Sequence, residues 1–206
     1  RFKLFGSKVP KYLLPLATKT VLMEVIEQYL SSCPTLNIYL IANRADQLFF
    51  PIVRSIIKSF ESSNIEIIYI DDTLSQVETA MCLTNFRNPP DLQEAVAFAN
   101  IDTILINRER YFEKLRNMAG TKIGFLDTFE GYSSQYSFCL VDKKNMVSHV
   151  AEKRVISDEA CSGLYGFGTC ETFITNAKEL MKKNRSANFT DLYNHLIEKN
   201  INVESL

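Results

Sequence analysis

Several short segments of this 206-residue chain hold side chains that could do chemistry. Asn100-Ile101-Asp102-Thr103 follows directly on the apolar run Ala95–Ala99. In open α/β sheets ligands bind beyond the carboxyl ends of strands, so a carboxylate placed there is open to a ligand. A lone carboxylate in that position suits Mg²⁺, which keeps several waters and takes other oxygens from substrate phosphates. An Asp at the same place also serves as a helix N-cap or turn residue.

Lys8-Val9-Pro10-Lys11-Tyr12-Leu13, with Arg1 and Lys3, places several cations before the first expected helix. Such charges can neutralise triphosphate oxygens. They equally describe a solvated basic loop. In Ser75-Gln76-Val77-Glu78-Thr79, the amide of Gln76 offers a donor and an acceptor together, as reading a base edge requires. The same residues form an ordinary helix start, with Ser75 as N-cap and Glu78 three residues on. Glu152-Lys153 precedes Ser162-Gly163-Leu164-Tyr165. A carboxylate beside an ammonium can accept sugar hydroxyls and pair with a phosphate, and Gly163 would let a ligand approach the backbone. An exposed charge pair and a strand glycine fit these residues as well. His149 and His195 lie far apart with no nucleophile motif beside them, so no Ser/His/Asp or Cys/His arrangement is read.

The elements that must position these groups are legible in the hydrophobic pattern. Apolar residues at helical spacing predict helices over Thr20–Leu30, Phe49–Phe60, Gln76–Thr84 and Glu109–Met118. Pro51 fits the first turn of the second. The runs Leu36–Ala42 and Ile65–Ile70 read as strands buried on both faces, and Ala95–Ala99 as a third strand. This strand–helix alternation predicts a parallel sheet built from βαβ crossovers. The rhythm then changes: Tyr136–Val141, Val147–Glu152 and Gly163–Gly168 read as closely spaced strands with antiparallel partners. Asp142–Asn145 is a hairpin turn. Glu171–Lys182 and Asp191–Lys199 close the chain as helices. The expected fold is therefore α/β and Rossmann-like, a mixed, mainly parallel sheet with flanking helices in a single domain over 1–206.

Composition bounds the partners. A chain of this length buries roughly 70% of its unfolded surface and needs no disulfide or metal for stability. The formal net charge of −1 gives no electrostatic reason to expect nucleic acid or an anionic membrane. Cys33, Cys82, Cys139, Cys161 and Cys170 are odd in number and show no C-x-x-C spacing, which argues against a zinc site or a secreted disulfide framework. Four of the five neighbour apolar or small residues and should pack as small hydrophobes. Reducing cytoplasm is the expected location. No apolar run approaches the ~20 residues of a membrane span. The chain opens at Arg1 without an initiator Met, as a segment inside a longer protein would.

The order of the motifs says more than each alone. Arg1-Phe2, Val9-Pro10-Lys11-Tyr12-Leu13-Leu14-Pro15-Leu16, Gln76-Val77-Glu78-Thr79, Asn100-Ile101-Asp102-Thr103, Val150-Ala151-Glu152-Lys153 and Ile156–Tyr165 succeed one another along nearly the whole chain. This succession resembles the sugar-phosphate nucleotidyltransferase family, especially its small members from capsule and surface-polysaccharide pathways. The Pro-Lys and Ser-Gly-Leu-Tyr segments are its most specific pieces.

The resemblance implies a nucleotide-diphospho-sugar transferase type of fold and a set of roles. Arg1 would close a glycine-rich triphosphate loop. Lys11 would contact the α-phosphate region. Gln76 would read the base, with Asn100 also on the nucleotide. Asp102 would bind Mg²⁺. Glu152 and Lys153 would face the acceptor and its phosphate, and Ser162 and Gly163 would line the acceptor pocket. The implied catalytic set is Arg1, Lys11, Asp102 and Lys153. The implied partners are a nucleoside triphosphate and a phosphorylated sugar or small metabolite.

The sequence also departs from the family pattern. The glycine-rich loop and first strand would lie upstream of Arg1. Ser75-Gln76 replaces a Gly-Gln pair, and Arg154 follows Glu152-Lys153 where many members have Pro. No clear second metal-binding aspartate follows toward Leu206. Two other readings stay open: a glycosyltransferase of related α/β fold, which usually shows two neighbouring acidic residues where this chain has Asp102-Thr103-Ile104, and a non-catalytic module that binds nucleotide or sugar.

Overall fold

The computed structural model describes residues 9–60 and 64–206. Two compact units emerge. One takes the described residues up to Asp72 together with Asn100–Arg110, and the other takes Thr73–Ala99 and Tyr111–Leu206.

The first unit opens with a 3₁₀ turn over Lys11–Leu13 and a small antiparallel pair, β1 (Pro15–Leu16) and β2 (Lys19–Thr20). Helix α1 (Val21–Ser32) starts where Thr20 Oγ1 accepts the Met23 N–H at 3.3 Å, satisfying one of the amides that a helix start leaves unpaired. Its stripe of Leu22, Val25, Ile26 and Tyr29 is buried. Strand β3 (Ile38–Asn43) leads through a 3₁₀ segment (Arg44–Phe49) into α2 (Phe50–Lys58), with Pro51 in the first turn as its fixed φ favours. Strand β4 (Ile65–Ile70) returns parallel to β3, with Ile38 opposite Ile65 and Asn43 opposite Ile70. Leu13, Leu22, Ile26, Ile38, Val53 and Ile56 make the core. The expectation that both strands are buried on both faces is corrected: only Ile38 is fully buried, and the other residues of β3 and β4 are half-buried. A ladder of two strands has two edges, so apolar runs of this kind do not by themselves prove a central position.

The second unit contains α3 (Gln76–Met81), which runs on into a 3₁₀ turn (Cys82–Asn85), and then β5 (Val96–Ala99). Helix α4 (Glu109–Asn117) belongs here from Tyr111 on. It is followed by β6 (Gly124–Glu130), β7 (Phe138–Val141), β8 (Val147–Ala151), β9 (Glu159–Phe167), α5 (Cys170–Lys183), α6 (Phe189–Glu198) and β10 (Val203–Ser205). The sheet order is β10-β6-β9-β7-β8, with β5 also paired to β9. Tyr193, Phe125, Phe138, Phe167 and Phe173 are fully buried at its centre. The Tyr193 hydroxyl lies 3.2 Å from the carbonyl of Phe125 and 3.0 Å from that of Gly166, which ties α6 to β6 and β9. Gly166 has no room for a side chain, since a Cβ there would overlap the Phe125 ring and sit 2.6 Å from the Tyr111 hydroxyl oxygen.

The mixed α/β class is the one the sequence predicts, but the sheet is less parallel than the strand–helix alternation implies. Among the described residues only β3–β4 and β6–β10 pair in parallel. β5, expected as a third parallel strand, runs antiparallel to β9, with Val96 opposite Phe167 and Ala99 opposite Leu164. Hydrophobic periodicity reports burial and carries no strand direction. Direction here is decided by β9, whose eight residues from Ala160 to Phe167 are all buried and which takes β5, β6 and β7 as antiparallel neighbours. Four of the five cysteines are buried and all five are free, as their apolar surroundings predict. Among the described residues no helix is long and apolar enough to cross a membrane.

Candidate functional site

In the first unit the chain brings Lys11 and Asp102 together across 91 positions. The 3₁₀ turn Lys11–Leu13 is held by Leu13 N–H donating to Pro10 C=O at 2.9 Å and Leu14 N–H to Lys11 C=O at 3.2 Å. Leu13 is buried in the core, which fixes the turn and leaves the Lys11 stem pointing outward. Asp102 sits in the turn that follows β5, where Thr103 N–H donates to Asn100 C=O at 3.3 Å. Ile101, the residue between, packs on the core of this unit. The Lys11 ammonium meets the Asp102 carboxylate, and both side chains remain partly exposed, at 46% and 36%.

A polar group gathers at the carboxyl ends of β3 and β4, and Tyr12, the chain neighbour of Lys11, reaches into it. The Tyr12 hydroxyl donates to Asp46 at 3.1 Å. Burial, then the Asp46 carboxylate, pushes the Tyr12 phenol well above its ordinary range. Asn43 caps the turn after β3 by accepting the Ala45 N–H at 2.7 Å, and its amide donates to Asp72 at 2.5 Å. Arg44 donates to the Tyr69 carbonyl at 3.2 Å and lies 3.6 Å from Asp71. Asn43, Asp46, Asp71 and Asp72 were not singled out by motif, and Tyr12 stood in the Pro-Lys segment with no role of its own. The available signal was position, since Asn43, Asp71 and Asp72 all end or follow predicted strands.

Arg1 lies outside the described residues. Asn100 lies in the same turn as Asp102 and is half-buried. Gln76 is exposed and stands first in α3, in the second unit. The helix-start reading of that segment is realised around it: Ser75 Oγ accepts the Glu78 N–H at 3.1 Å, and the Glu78 carboxylate accepts the Leu74 N–H at 2.5 Å. Arg185 also donates to Glu78 at 2.9 Å. The Leu74 amide, then Arg185, holds the Glu78 carboxyl below its usual range.

The remaining predicted residues gather in the second unit. Glu152 follows β8 and is exposed, with one oxygen accepting from Ser137 at 2.6 Å and the other 3.6 Å from the Lys153 ammonium. Lys153 has a left-handed backbone, φ 50°, which turns the chain sharply after the strand. Ser162 and Gly163 sit inside β9. Gly163 has φ 92°, a conformation that a side chain opposes, and the Leu164 N–H donates to Ser162 Oγ at 3.3 Å. Leu126 of β6 faces Tyr165 and Thr128 faces Cys161, so Ser162–Leu164 bulge opposite the single residue Asp127. Bulges of this kind re-aim strand residues beside functional sites. Both Ser162 and Asp127 are buried. The Cys139 thiol beside it, then burial, pushes the Cys161 thiol upward, with Glu152 and Asp127 adding to the effect, which leaves it a packing residue and not a nucleophile.

The structure thus assembles two sets, Lys11 with Asp102 and Asn100 in one unit, and Glu152 with Lys153 beside Ser137 in the other. Among the described residues no three His, Cys, Asp or Glu side chains converge as a metal-holding group. The donor set at Asp102 is one carboxylate, which fits a Mg²⁺ completed by substrate oxygens and water and does not fit a resident all-protein cage.

No family model and no curated protein matches the chain. Solved structures do. A nucleoside-diphosphate-sugar pyrophosphorylase from Vibrio cholerae RC9 superposes with a TM-score of 0.80 at 22% identity, over 100% of this chain and 86% of that one. A UDP-glucose pyrophosphorylase complexed with UDP-glucose gives 0.70 at 13% identity, over 96% and 82%. HddC from Yersinia pseudotuberculosis gives 0.68 at 16% identity, over 100% and 84%. The chain has the fold of these three proteins along essentially its whole length.

Proposed function

We propose that this protein is a Mg²⁺-dependent sugar-phosphate nucleotidyltransferase. It joins a nucleoside triphosphate to a phosphorylated sugar or similar small metabolite and releases pyrophosphate. The observation that carries this reading is the meeting of Lys11 and Asp102. The family resemblance implies an α-phosphate role for Lys11 and a metal role for Asp102, and the two come together as a cation and an anion. The shared fold supports it.

The chemistry asks little of a general base. A phosphate nucleophile is already ionised near neutral pH, so catalysis is positioning plus neutralisation of charge. Mg²⁺ held by Asp102 would supply a Lewis acid for phosphate oxygens. Lys11 leaves the Asp102 carboxylate and donates to the α-phosphate region of the nucleotide. Arg1 shares the task of neutralising the triphosphate. Gln76 and Asn100 bind the nucleotide, Gln76 at the base edge. Lys153 orients the acceptor phosphate and Glu152 accepts from its hydroxyls, with Ser162 and Gly163 lining the acceptor pocket. The acceptor oxygen attacks the α-phosphorus in line, the bond to the β-phosphate breaks, and pyrophosphate carries away the electron pair. We place the protein in a single nucleotidyltransferase domain of cytoplasmic location, supplying precursors for capsule or surface polysaccharide.

A thermal-shift panel of CTP, UTP, ATP, GTP and dTTP with the full-length protein, each with and without Mg²⁺, tests the reading. A ligand at 100 times its Kd stabilises by about 2.7 kcal/mol. One nucleotide raising Tm in a Mg²⁺-dependent way is the expected result. Equal silence from all five would shift the balance to the non-catalytic module.

A further inference from the structure

The registers of β7, β8 and β9 set a second residue against Glu152. Phe138 opens β7 and pairs with Ala151 on β8 and with Ala160 on β9. One step back along the first ladder, Ser137 stands opposite Glu152. Residues opposite each other on antiparallel strands share a face, with Cβ atoms about 4.5–5.5 Å apart. The Ser137 hydroxyl uses that proximity and donates to Glu152 Oε2 at 2.6 Å.

Ser137 is itself fixed. Its carbonyl accepts the Cys161 N–H at 2.8 Å, and the next residue, Phe138, is fully buried. The loop beyond Glu152 is pinned as well, since Ser157 Oγ donates to the Cys139 carbonyl at 2.7 Å. Glu152 Oε1 is 3.6 Å from the Lys153 ammonium, beyond hydrogen-bond distance. One carboxylate oxygen is therefore committed to the protein and the other keeps its capacity to accept.

We propose that Ser137 is a positioning residue for the acceptor: its hydroxyl holds Glu152 in one rotamer, so that Oε1 is presented to a hydroxyl of a sugar-phosphate acceptor. The proposal rests on the acceptor role given to Glu152 above. A glutamate has several freely rotating torsions and loses substantial rotamer freedom on binding. A serine that restricts it beforehand lets the acceptor bind without that loss, which is preorganisation. A purely structural role is a poor account of the bond, because both residues retain solvent exposure and Glu152 leaves the strand at this point.

The test uses the full-length protein with glucose 1-phosphate, galactose 1-phosphate and mannose 1-phosphate as acceptor probes, following pyrophosphate release. With the acceptor that reacts, Ser137→Ala raises its KM by roughly three- to tenfold, the range expected when a hydrogen bond of ordinary net worth is lost. The KM for the nucleotide and kcat stay within about twofold, Tm stays within about 2 °C, and Ser137→Thr restores the acceptor KM. An unchanged acceptor KM in Ser137→Ala overturns the proposal, as does a Thr variant no better than Ala or a KM for nucleotide that rises in parallel. If the wild-type protein releases no pyrophosphate with any of the three acceptors, the nucleotidyltransferase reading with sugar phosphates fails and takes this inference with it.

Discussion

Replacing Lys11 by Met removes the ammonium and keeps most of the stem, so it separates the two roles the Lys11–Asp102 contact could have. As a structural ion pair the contact is weak. Its side chains are 46% and 36% exposed, and opposite unit charges about 4 Å apart in water attract by only about 1 kcal/mol. Exposed pairs contribute roughly 0.2–1 kcal/mol once side-chain ordering and salt are counted. Folding stability should therefore fall by no more than about 1 kcal/mol, a Tm change on the order of 2–4 °C for a chain of this size. As a phosphate-neutralising group Lys11 is worth far more, since a donor aimed at developing charge typically contributes about 10²–10³ in kcat. Lys11→Met should thus lower pyrophosphate release by at least about 10² while thermal unfolding barely moves. Asp102→Asn should show the same split and lose its response to Mg²⁺. Urea unfolding and a coupled pyrophosphate assay on the same preparations measure both. A Lys11→Met protein that lost more than about 2 kcal/mol of stability and less than tenfold in activity would refute the reasoning and make the contact a structural one.

Three further outcomes follow from the packing. Gly166→Ala forces a methyl into the Phe125 ring and the Tyr111 hydroxyl, and urea unfolding should show a loss of about 1–3 kcal/mol, the usual cost of overpacking. Tyr193→Phe removes the donor shared by the Phe125 and Gly166 carbonyls, and the same assay should show a loss of about 1–2 kcal/mol with nucleotide affinity unchanged. The Glu78 carboxyl is held below its ordinary value by the Leu74 amide and Arg185, so its contribution is present above the unfolded-state pKa and is lost as pH falls through the folded-state pKa. Wild-type stability should therefore decline more steeply than that of Glu78→Gln as pH falls below about 4.5, measured by Tm against pH.

How far the sequence was legible depends on the kind of signal each element carries. Helices α1, α2 and α4 were visible because apolar residues recur at helical spacing, and Pro51 marked the start of α2. Strand β4 was visible over its full length as an apolar run. Strand β6 was not read, because Gly124 and Asp127 interrupt its apolar residues, and the interruption turned out to be the bulge facing Ser162–Leu164. The three residues of β10 carry too little pattern to be seen alone. Strand direction was illegible in principle, which is why β5 was expected to run parallel.

At the candidate site, Asp102 and Lys11 were read from their places after a strand and before a helix, and the structure brings them together. Ser137 was missed because its meaning lies in cross-strand register. No spacing along the chain reveals that residues 137 and 152 will face each other. Gln76 stands at the helix start its cap predicts, and the local geometry explains Ser75 and Glu78 without any ligand.

The central claim is a nucleotidyl transfer that liberates pyrophosphate, and identifying the products tests it most directly. The full-length protein would be incubated with Mg²⁺, the nucleotide singled out by thermal shift and a panel of sugar 1-phosphates and phosphocholine, and the products separated by anion-exchange chromatography. The account predicts pyrophosphate and a nucleoside-diphosphate-linked acceptor in equal amounts, both abolished by Asp102→Asn. Release of a nucleoside diphosphate from a nucleotide-sugar donor, with no pyrophosphate formed from any triphosphate, would contradict it and establish a glycosyltransferase in its place.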